Sequence, residues 1–351
     1  MNLVTNEGRK TKQLDIPEEI PFPSVDANAP LDLLKRCPAY TSAPLLEAHD
    51  LGREHGFEKL YLKDETARMG LGSFKALGAA YVIAHAAFQS GADDLAHALA
   101  GHTYVTASAG NHGLSVAAGA RTFGAQSTIF LSETVPVAFA DRLRSFGAQV
   151  RVEGSDYEAS MQAASAYSDE IDGILLSDSS WDGYFELPHR LMEGYLASAC
   201  EIVDEMPVVP THIFLQAGVG GLAGAMAAYF RHVWGDAPAI IVVEPDAAPA
   251  LQASILAGKS VFADGPVSNM GRLDCKEPSL IALKGLARDA DYFLTVSDEL
   301  AEETTERLHE FGLSSTPSGV GGLAGVFASR VSRLGLSETS IALCIISEGA
   351  E

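Results

Sequence analysis

Basic residues are scarce in this 351-residue sequence. Its 24 lysines and arginines stand against 46 aspartates and glutamates, a net charge of −22. A surface of that sign repels phosphate backbones and anionic headgroups, so neither nucleic acid nor a membrane surface is expected as a partner. Cysteine is thin as well. Cys37, Cys200, Cys275 and Cys344 are scattered and form no CxxC pair, which argues against a thiolate metal cage or a disulfide framework and fits a reduced, cytoplasmic setting. No metal site is expected. No run approaches the roughly 18 apolar residues a membrane-spanning helix needs. The opening MNLVTNEGRKTKQLDIPEEIPFPSV has no apolar centre and predicts no signal peptide. No repeat of 20–50 residues is evident.

What is present is an alternation of short apolar runs with longer helical patterns. KLYLKD (59–64), TYVTAS (103–108), STIFLS (127–132), AQVRVEG (148–154), GILLSDS (173–179), THIFLQAG (211–218), AIIVVEP (239–245) and IALCIISEG (341–349) read as buried strands. Helical segments such as GLSVAAGARTFG and VAFADRLRSFG lie between them. This order predicts an α/β protein with parallel sheets covered on both faces, its ligands held at the carboxyl ends of the strands. The length fits two domains, and without a long linker one is expected to be inserted into the other: 1–78 with 181–351 as the larger, 79–180 as the smaller.

Glycine-rich turns follow several strands. In QAGVGGLAGA (216–225), Gly218, Gly220 and Gly221 let backbone N–H groups converge ahead of a helix start, a place suited to phosphate. The same pattern also serves tight packing without a ligand. It is no Walker loop, because no Gly-Lys-Ser/Thr follows it; Glu244 stands near the distance of a dinucleotide ribose anchor but ends a strand. In TASAGNHGLSVA (106–117), Ser108, Gly110 and Asn111 suit a carboxylate or a phenolic oxygen. His112 at a helix start is more often structural than a general base. Lys75, in GLGSFKALGAA (70–80), follows Phe74. A lysine desolvated there has its ammonium form disfavoured and becomes nucleophilic; taken alone, the position equally suits an ordinary packed or solvated lysine.

The order Lys75, SAGNHG, GVGGLAG and a serine near the last strand resembles the fold type II (tryptophan synthase β-like) pyridoxal-phosphate enzymes, the group of serine and threonine dehydratases. Within it the chain is most similar to the diaminopropionate ammonia-lyases, through KDETARMGLGSFKALGAAY, DSSWDGYFELPHRLMEGY (178–195), VVEPD (242–246) and NMGRLDCKEPSL (269–280). The resemblance runs from about residue 20 onwards. It implies two α/β domains with pyridoxal 5′-phosphate in the cleft between them, a small amino-acid substrate and a homodimer. Lys75 would be the Schiff-base lysine and Phe74 its cofactor-side neighbour. Gly218, Val219, Gly220, Gly221 and Leu222 would bind the phosphate. Asn111 would bond the ring hydroxyl and Ser347 would face the pyridine nitrogen. Ser108, Ala109, Gly110 and His112 would line the substrate-carboxylate seat, and Asp178 would serve catalysis near the substrate's β-amine.

The implied reaction is α,β-elimination giving a 2-oxo acid and ammonia. Two positions depart from the ammonia-lyase pattern: Ala109 and Pro317 stand where acidic residues are expected. Ala109 removes the base for a D-substrate, which implies an L-preference, and both changes draw the chain towards dehydratases of serine, threonine or threo-3-hydroxyaspartate. Two other classes are weaker. A non-catalytic ligand-binding protein on this fold would be expected to lose Lys75, and a nicotinamide oxidoreductase would need a first-strand GxGxxG. Trp181 and Tyr184 fit either the mouth of the site or the core, while Glu65 and Arg68 are expected to anchor the loop before Lys75.

Overall fold

The computed structural model describes residues 1–133, 135, 137–329 and 334–350. In chain order its strands are β1 (Leu3–Thr5), β2 (Leu45–Glu47), β3 (Lys59–Asp64), β4 (Thr103–Ala107), β5 (Gln126–Leu131), β6 (Gln149–Val152), β7 (Ile174–Leu175), β8 (His212–Gln216), β9 (Ala239–Pro245), β10 (Tyr292–Val296) and β11 (Ile341–Ile346). The α-helices are α1 (Asn28–Leu34), α2 (His49–Glu54), α3 (Lys75–Gln89), α4 (Asn111–Thr122), α5 (Val137–Ser145), α6 (Tyr157–Glu170), α7 (Glu186–Glu205), α8 (Gly221–Trp234), α9 (Ala250–Ala257), α10 (Leu280–Asp289), α11 (Asp298–Glu310) and α12 (Gly321–Ala328).

Two sheets result. One has seven strands in the order β1-β10-β9-β8-β11-β3-β2, the other four in the order β6-β5-β4-β7. All pairs are parallel except β1 with β10 and β2 with β3 at the two edges. The inner strands β8 and β9 are buried along nearly their whole length, as apolar, β-branched runs between two helical layers must be. The four-stranded sheet is made wholly of residues between 103 and 175.

Three strands were not among those expected. β1 and β2 are three-residue edge strands, and β10 runs into α11 through Ser297, whose hydroxyl caps Leu300 N–H. The strand expected over 173–179 is shorter than its apolar run. After Leu176 bonds Val105 O at 2.8 Å, Ser177 N–H donates to the Tyr184 hydroxyl instead of a strand.

The register of β11 on β3 sets the site. Ile346 lies opposite Asp64, so the segments that follow both strands leave the sheet side by side. Residues 72–74 and 347–349 then pair. Phe74 N–H donates to Ser347 O at 3.1 Å and Gly349 N–H to Gly72 O at 3.0 Å. Met69, Gly70 and Gly72 take left-handed backbone on the way, with φ of 50°, 71° and 85°. The turn is underpinned by buried charges: Arg68 is bonded by Glu65 at 2.6 and 2.8 Å and by Glu201 at 2.7 and 2.9 Å. Glu65 and Arg68 thus sit as anchors of this loop. Lys75 opens α3, which crosses α7 so closely that a Cβ on Gly194 would come within 2.3 Å of Leu77 O.

Candidate active site

Lys75 meets Asp178. The ammonium and the carboxylate form a short ion pair, with 22% and 18% of the two side chains exposed. The Phe74 ring lies 5.3 Å from Lys75 Nζ. This geometry corrects the expectation of a disfavoured ammonium: burial pulls the Lys75 pKa down, but Asp178 outweighs it and the net shift is upward. Asp178 is held well below the usual carboxylate range, because Lys75 and His112 overcome the opposing effect of burial.

The Asp178 loop is fixed from several sides. The Tyr184 hydroxyl donates to Leu175 O at 2.8 Å and accepts from Ser177 N–H at 3.0 Å, and Trp181, 38% exposed, stacks on its ring at 4.3 Å. The aromatic pair therefore clamps the loop that carries Asp178. Ser180 and Ser279 share a 2.7 Å hydroxyl contact, and Ser279 N–H donates to Val219 O at 2.9 Å. The Asp178 loop and the glycine turn before α8 are thereby joined.

The glycine turn has one open side. Gly220 adopts φ 97°, and a Cβ there would meet Ala282 and Leu251 at 3.0 Å; one on Gly218 would meet Cys275 Sγ at 2.9 Å. These two glycines serve the turn and its packing. A Cβ on Gly221, at the first residue of α8, meets nothing closer than Tyr195 at 3.7 Å. The seven residues GVGGLAG occur again at 319–325, where the equivalent of Gly221 is Gly322. A Cβ there would lie 2.8 Å from Gln216 Oε1 and 2.9 Å from Phe214 O. The repeated heptapeptide packs a helix onto the sheet in one copy and leaves the first residue of the helix uncrowded, its N-terminus open to an anion, in the other. Next to that opening the buried Tyr195 hydroxyl, beside Lys75, has no hydrogen bond of good geometry. Burial lifts it to about 12. An amine, an open helix start and an orphaned hydroxyl are together a fit for a phosphate-bearing aldehyde.

Residues 108–112 lead from β4 into α4. The Ser108 hydroxyl accepts from Gly113 N–H at 3.0 Å and Gly110 N–H at 3.3 Å, capping α4. His112 is buried, its Nε2 2.8 Å from Leu176 O, and burial lowers its pKa; that bond ties α4 to the Asp178 loop and fits the structural role. Ala109 is exposed. Asn111 Nδ2 donates to Glu348 Oε2 at 2.5 Å, and Ser347 is buried at the end of β11, its carbonyl bonded to Phe74. Val219 and Leu222 belong to the glycine turn and the start of α8.

Several site groups carried no mark in the sequence. Glu348 gathers Asn111, Thr316 and Arg272 around one buried carboxylate. The Tyr157 hydroxyl end lies enclosed near Asp178 and Cys275, which together with burial raise its pKa, although nearly half of the residue is exposed. Cys275 Sγ touches the turn at Gly218, and burial pushes its thiol up to about 12. Only the DCKEPS stretch hinted at the last. Glu244 is committed elsewhere, its carboxylate accepting Leu251 N–H at 2.7 Å and Gln252 N–H at 2.8 Å. That removes the dinucleotide reading.

The fold and the site define a class: a two-sheet α/β protein that presents a lysine and an uncrowded helix start beyond the carboxyl ends of parallel strands. The model of the pyridoxal-phosphate dependent enzyme family matches residues 37–348, and the chain belongs to that family. It is 30% identical over 338 residues to diaminopropionate ammonia-lyase of Escherichia coli (strain K12), covering 88% of this chain and 85% of that protein. With human L-serine dehydratase/L-threonine deaminase it shares 27% identity over 301 residues, 85% of this chain and 86% of that one. The solved structure of the E. coli diaminopropionate ammonia-lyase in complex with D-serine superposes with a TM-score of 0.89 at 27% identity, over 99% of this chain and 93% of that one.

Proposed function

We propose that this protein eliminates ammonia from L-2,3-diaminopropionate, leaving a 2-oxo acid. The observation that carries this reading is the Lys75–Asp178 pair beside the open glycine turn. Pyridoxal phosphate, when bound, supplies the covalent hold on the substrate nitrogen and the electron sink for its α-carbon. Lys75 is the residue for that aldehyde, and Gly221 with Tyr195 for the phosphate. Gly218, Val219, Gly220 and Leu222 complete the turn. Ser347 and Asn111 would hold the polar atoms of the cofactor's ring.

The chain's own groups do the rest. Asp178 favours the ammonium of Lys75, so a proton must leave Nζ before that nitrogen acts; by way of Asp178 Oδ2 it passes to the substrate's β-amine, which becomes the β-ammonium and leaves Asp178 ionised. With substrate in place, the freed Lys75 amine takes the α-proton. Asp178, ionised, binds the β-ammonium and holds the leaving nitrogen in its protonated, departing form. Ala109 offers no group to take the α-proton from the opposite face, which supports the L-isomer preference. It equally favours a second reading, a dehydratase of serine, threonine or threo-3-hydroxyaspartate with hydroxide as the leaving group.

We take 1–78 with 181–351 as one domain and 79–180 as the other, with the site between them. The four cysteines are unpaired and no helix among the described residues is long and apolar enough to cross a membrane. The unpaired cysteines support a cytoplasmic setting, and the family resemblance, which implies a homodimer, supports that state. The test is release of ammonia and 2-oxo acid from L- and D-2,3-diaminopropionate, L-serine, L-threonine and threo-3-hydroxyaspartate. Turnover of L-diaminopropionate over its D-isomer is the expected result. Turnover of hydroxy amino acids alone would move the assignment to the dehydratases.

A further inference from the structure

The two sheets are tied together at one side-chain bond. Asn111 opens α4 just beyond β4 of the four-stranded sheet, and Glu348 lies just beyond β11 of the seven-stranded one. Asn111 Nδ2 donates to Glu348 Oε2 at 2.5 Å. Glu348 is buried and is held from the large sheet's side. The Thr316 hydroxyl donates to Oε1, Arg272 Nε stands 3.1 Å from Oε2, and the Ser315 hydroxyl donates to the Glu348 carbonyl at 2.6 Å. Thr316 is fixed in turn by Gly319 N–H at 3.0 Å. Glu348 is also bridged to Ser73, in the segment that runs into Lys75. Asn111, only half-buried, is thus the adjustable partner and Glu348 the fixed one.

An amide side chain has a donor end and an acceptor end, whereas a carboxylate ringed by donors accepts. Turned the other way, Asn111 would set its Oδ1 against Glu348 Oε2, acceptor on acceptor. The bond therefore fixes Nδ2 towards Glu348, and one of the two Nδ2 hydrogens is left over. We propose that Glu348 is a positioning residue for the cofactor: it locks the Asn111 amide so that the remaining N–H donates to the ring oxygen of pyridoxal phosphate. The inference rests on the proposed cofactor site. Glu348 keeps its present partners and takes no new one; it acts only through Asn111. A donor at the ring oxygen favours the ionised form of that oxygen. The proton then stays on the lysine imine, which is the form that absorbs in the visible.

The test compares wild type, N111A, E348A, E348D and the N111A/E348A double variant, each loaded with pyridoxal phosphate. The readout is the ratio of the visible band at about 410–430 nm to the near-ultraviolet band of the un-ionised form. Loss of one hydrogen bond to a charged oxygen should lower that ratio roughly tenfold in N111A. E348A should fall by a similar factor. E348D, which keeps a charge beside Arg272 and shortens the reach to Asn111, should fall by less, and it carries the test should E348A not fold. The double variant should fall no further than N111A, because residues that act through one another are not additive. An unchanged ratio in the Glu348 variants, or a double variant that shows the product of the two single effects, overturns the proposal. A second readout needs no cofactor: hydrogen exchange over residues 106–117 should quicken in E348A and E348D while that of β9 does not. If the wild type gains no visible band with pyridoxal phosphate, the cofactor site falls, and the exchange alone decides the lock. Faster exchange confined to 106–117 upholds it, and equal exchange overturns it.

Discussion

Replacing Glu201 with glutamine tests what holds the Lys75 loop. The Glu201 carboxylate is buried on α7 and bonded by Arg68 at 2.7 and 2.9 Å, by the Tyr40 hydroxyl at 2.6 Å and by Ala43 N–H at 3.1 Å, with Lys63 Nζ 3.0 Å away. Burial alone would raise its pKa. Arg68, Lys63 and Tyr40 outweigh burial and bring it from 4.5 to about 2. At about 1.4 kcal/mol per unit, that fall corresponds to roughly 3 kcal/mol of stability at neutral pH. Breaking a buried pair, which strands Arg68 and Lys63 with too little counter-charge, costs about 3–5 kcal/mol on independent grounds. The two routes agree. The sign follows from the depressed pKa: the contribution is complete above about 4.5 and disappears as pH falls towards 2. Urea unfolding of wild type and E201Q, followed by tryptophan fluorescence, should show a gap of about 3 kcal/mol at pH 7 that narrows steadily below pH 5. A gap under about 1 kcal/mol, or one that does not move with pH, refutes the reasoning.

Lys75→Ala should abolish the visible absorbance at about 410–430 nm that a lysine imine of the cofactor gives while leaving the far-ultraviolet circular dichroism intact. The two copies of GVGGLAG predict opposite outcomes. Gly221→Ala should keep the unfolding temperature and weaken cofactor retention on dialysis, whereas Gly322→Ala, forced onto Phe214 O, should lower the unfolding temperature of the cofactor-free protein. Gly194→Ala should destabilise by about 1–3 kcal/mol in chemical denaturation, since overpacking against Leu77 O outweighs the ~1 kcal/mol of added helix propensity. Glu244, which burial lifts from 4.5 to about 8, binds its proton more tightly folded than unfolded. Wild-type stability should therefore decline as pH rises from about 5 to 8, and in E244Q that part of the slope should be absent.

Much of the architecture was legible because it is written in runs of adjacent residues. The strands at 59–64 and 239–245 have the expected ends, since in each an apolar run meets a charge or proline where the ladder stops. β1 and β2 are too short to carry a period. The strand expected at 173–179 is present but ends at Leu175, because Tyr184, seven residues beyond Ser177, competes for the backbone N–H. In the site, Lys75 and the first glycine turn could be picked out from local pattern. The charge state of Lys75 could not: Phe74 announces burial, but the carboxylate that reverses its effect arrives from a loop beyond the other sheet. Glu348 and Arg272 escaped for the same reason, as each looks ordinary until β11 and the 269–280 segment are brought to Gly110 and Asn111. The second GVGGLAG shows the converse limit. Identical residues do different work because their neighbours differ: Phe214 and Gln216 of β8 crowd Gly322, while Tyr195 and Met192 of α7 stand back from Gly221.

The pairing of residues 72–74 with 347–349 also bears on how the molecule is made. Lys75 emerges from the ribosome well before the strand that steadies the turn ahead of it. The ladder between β3 and β11 closes nearly the whole chain into a loop, a contact of high sequence separation that forms late and slowly. A nascent chain can build the four-stranded sheet from 103–175 while its lysine is still untethered. Formation of the lysine's seat is thus tied to topology: the turn before Lys75 is complete only once β11 has joined β3.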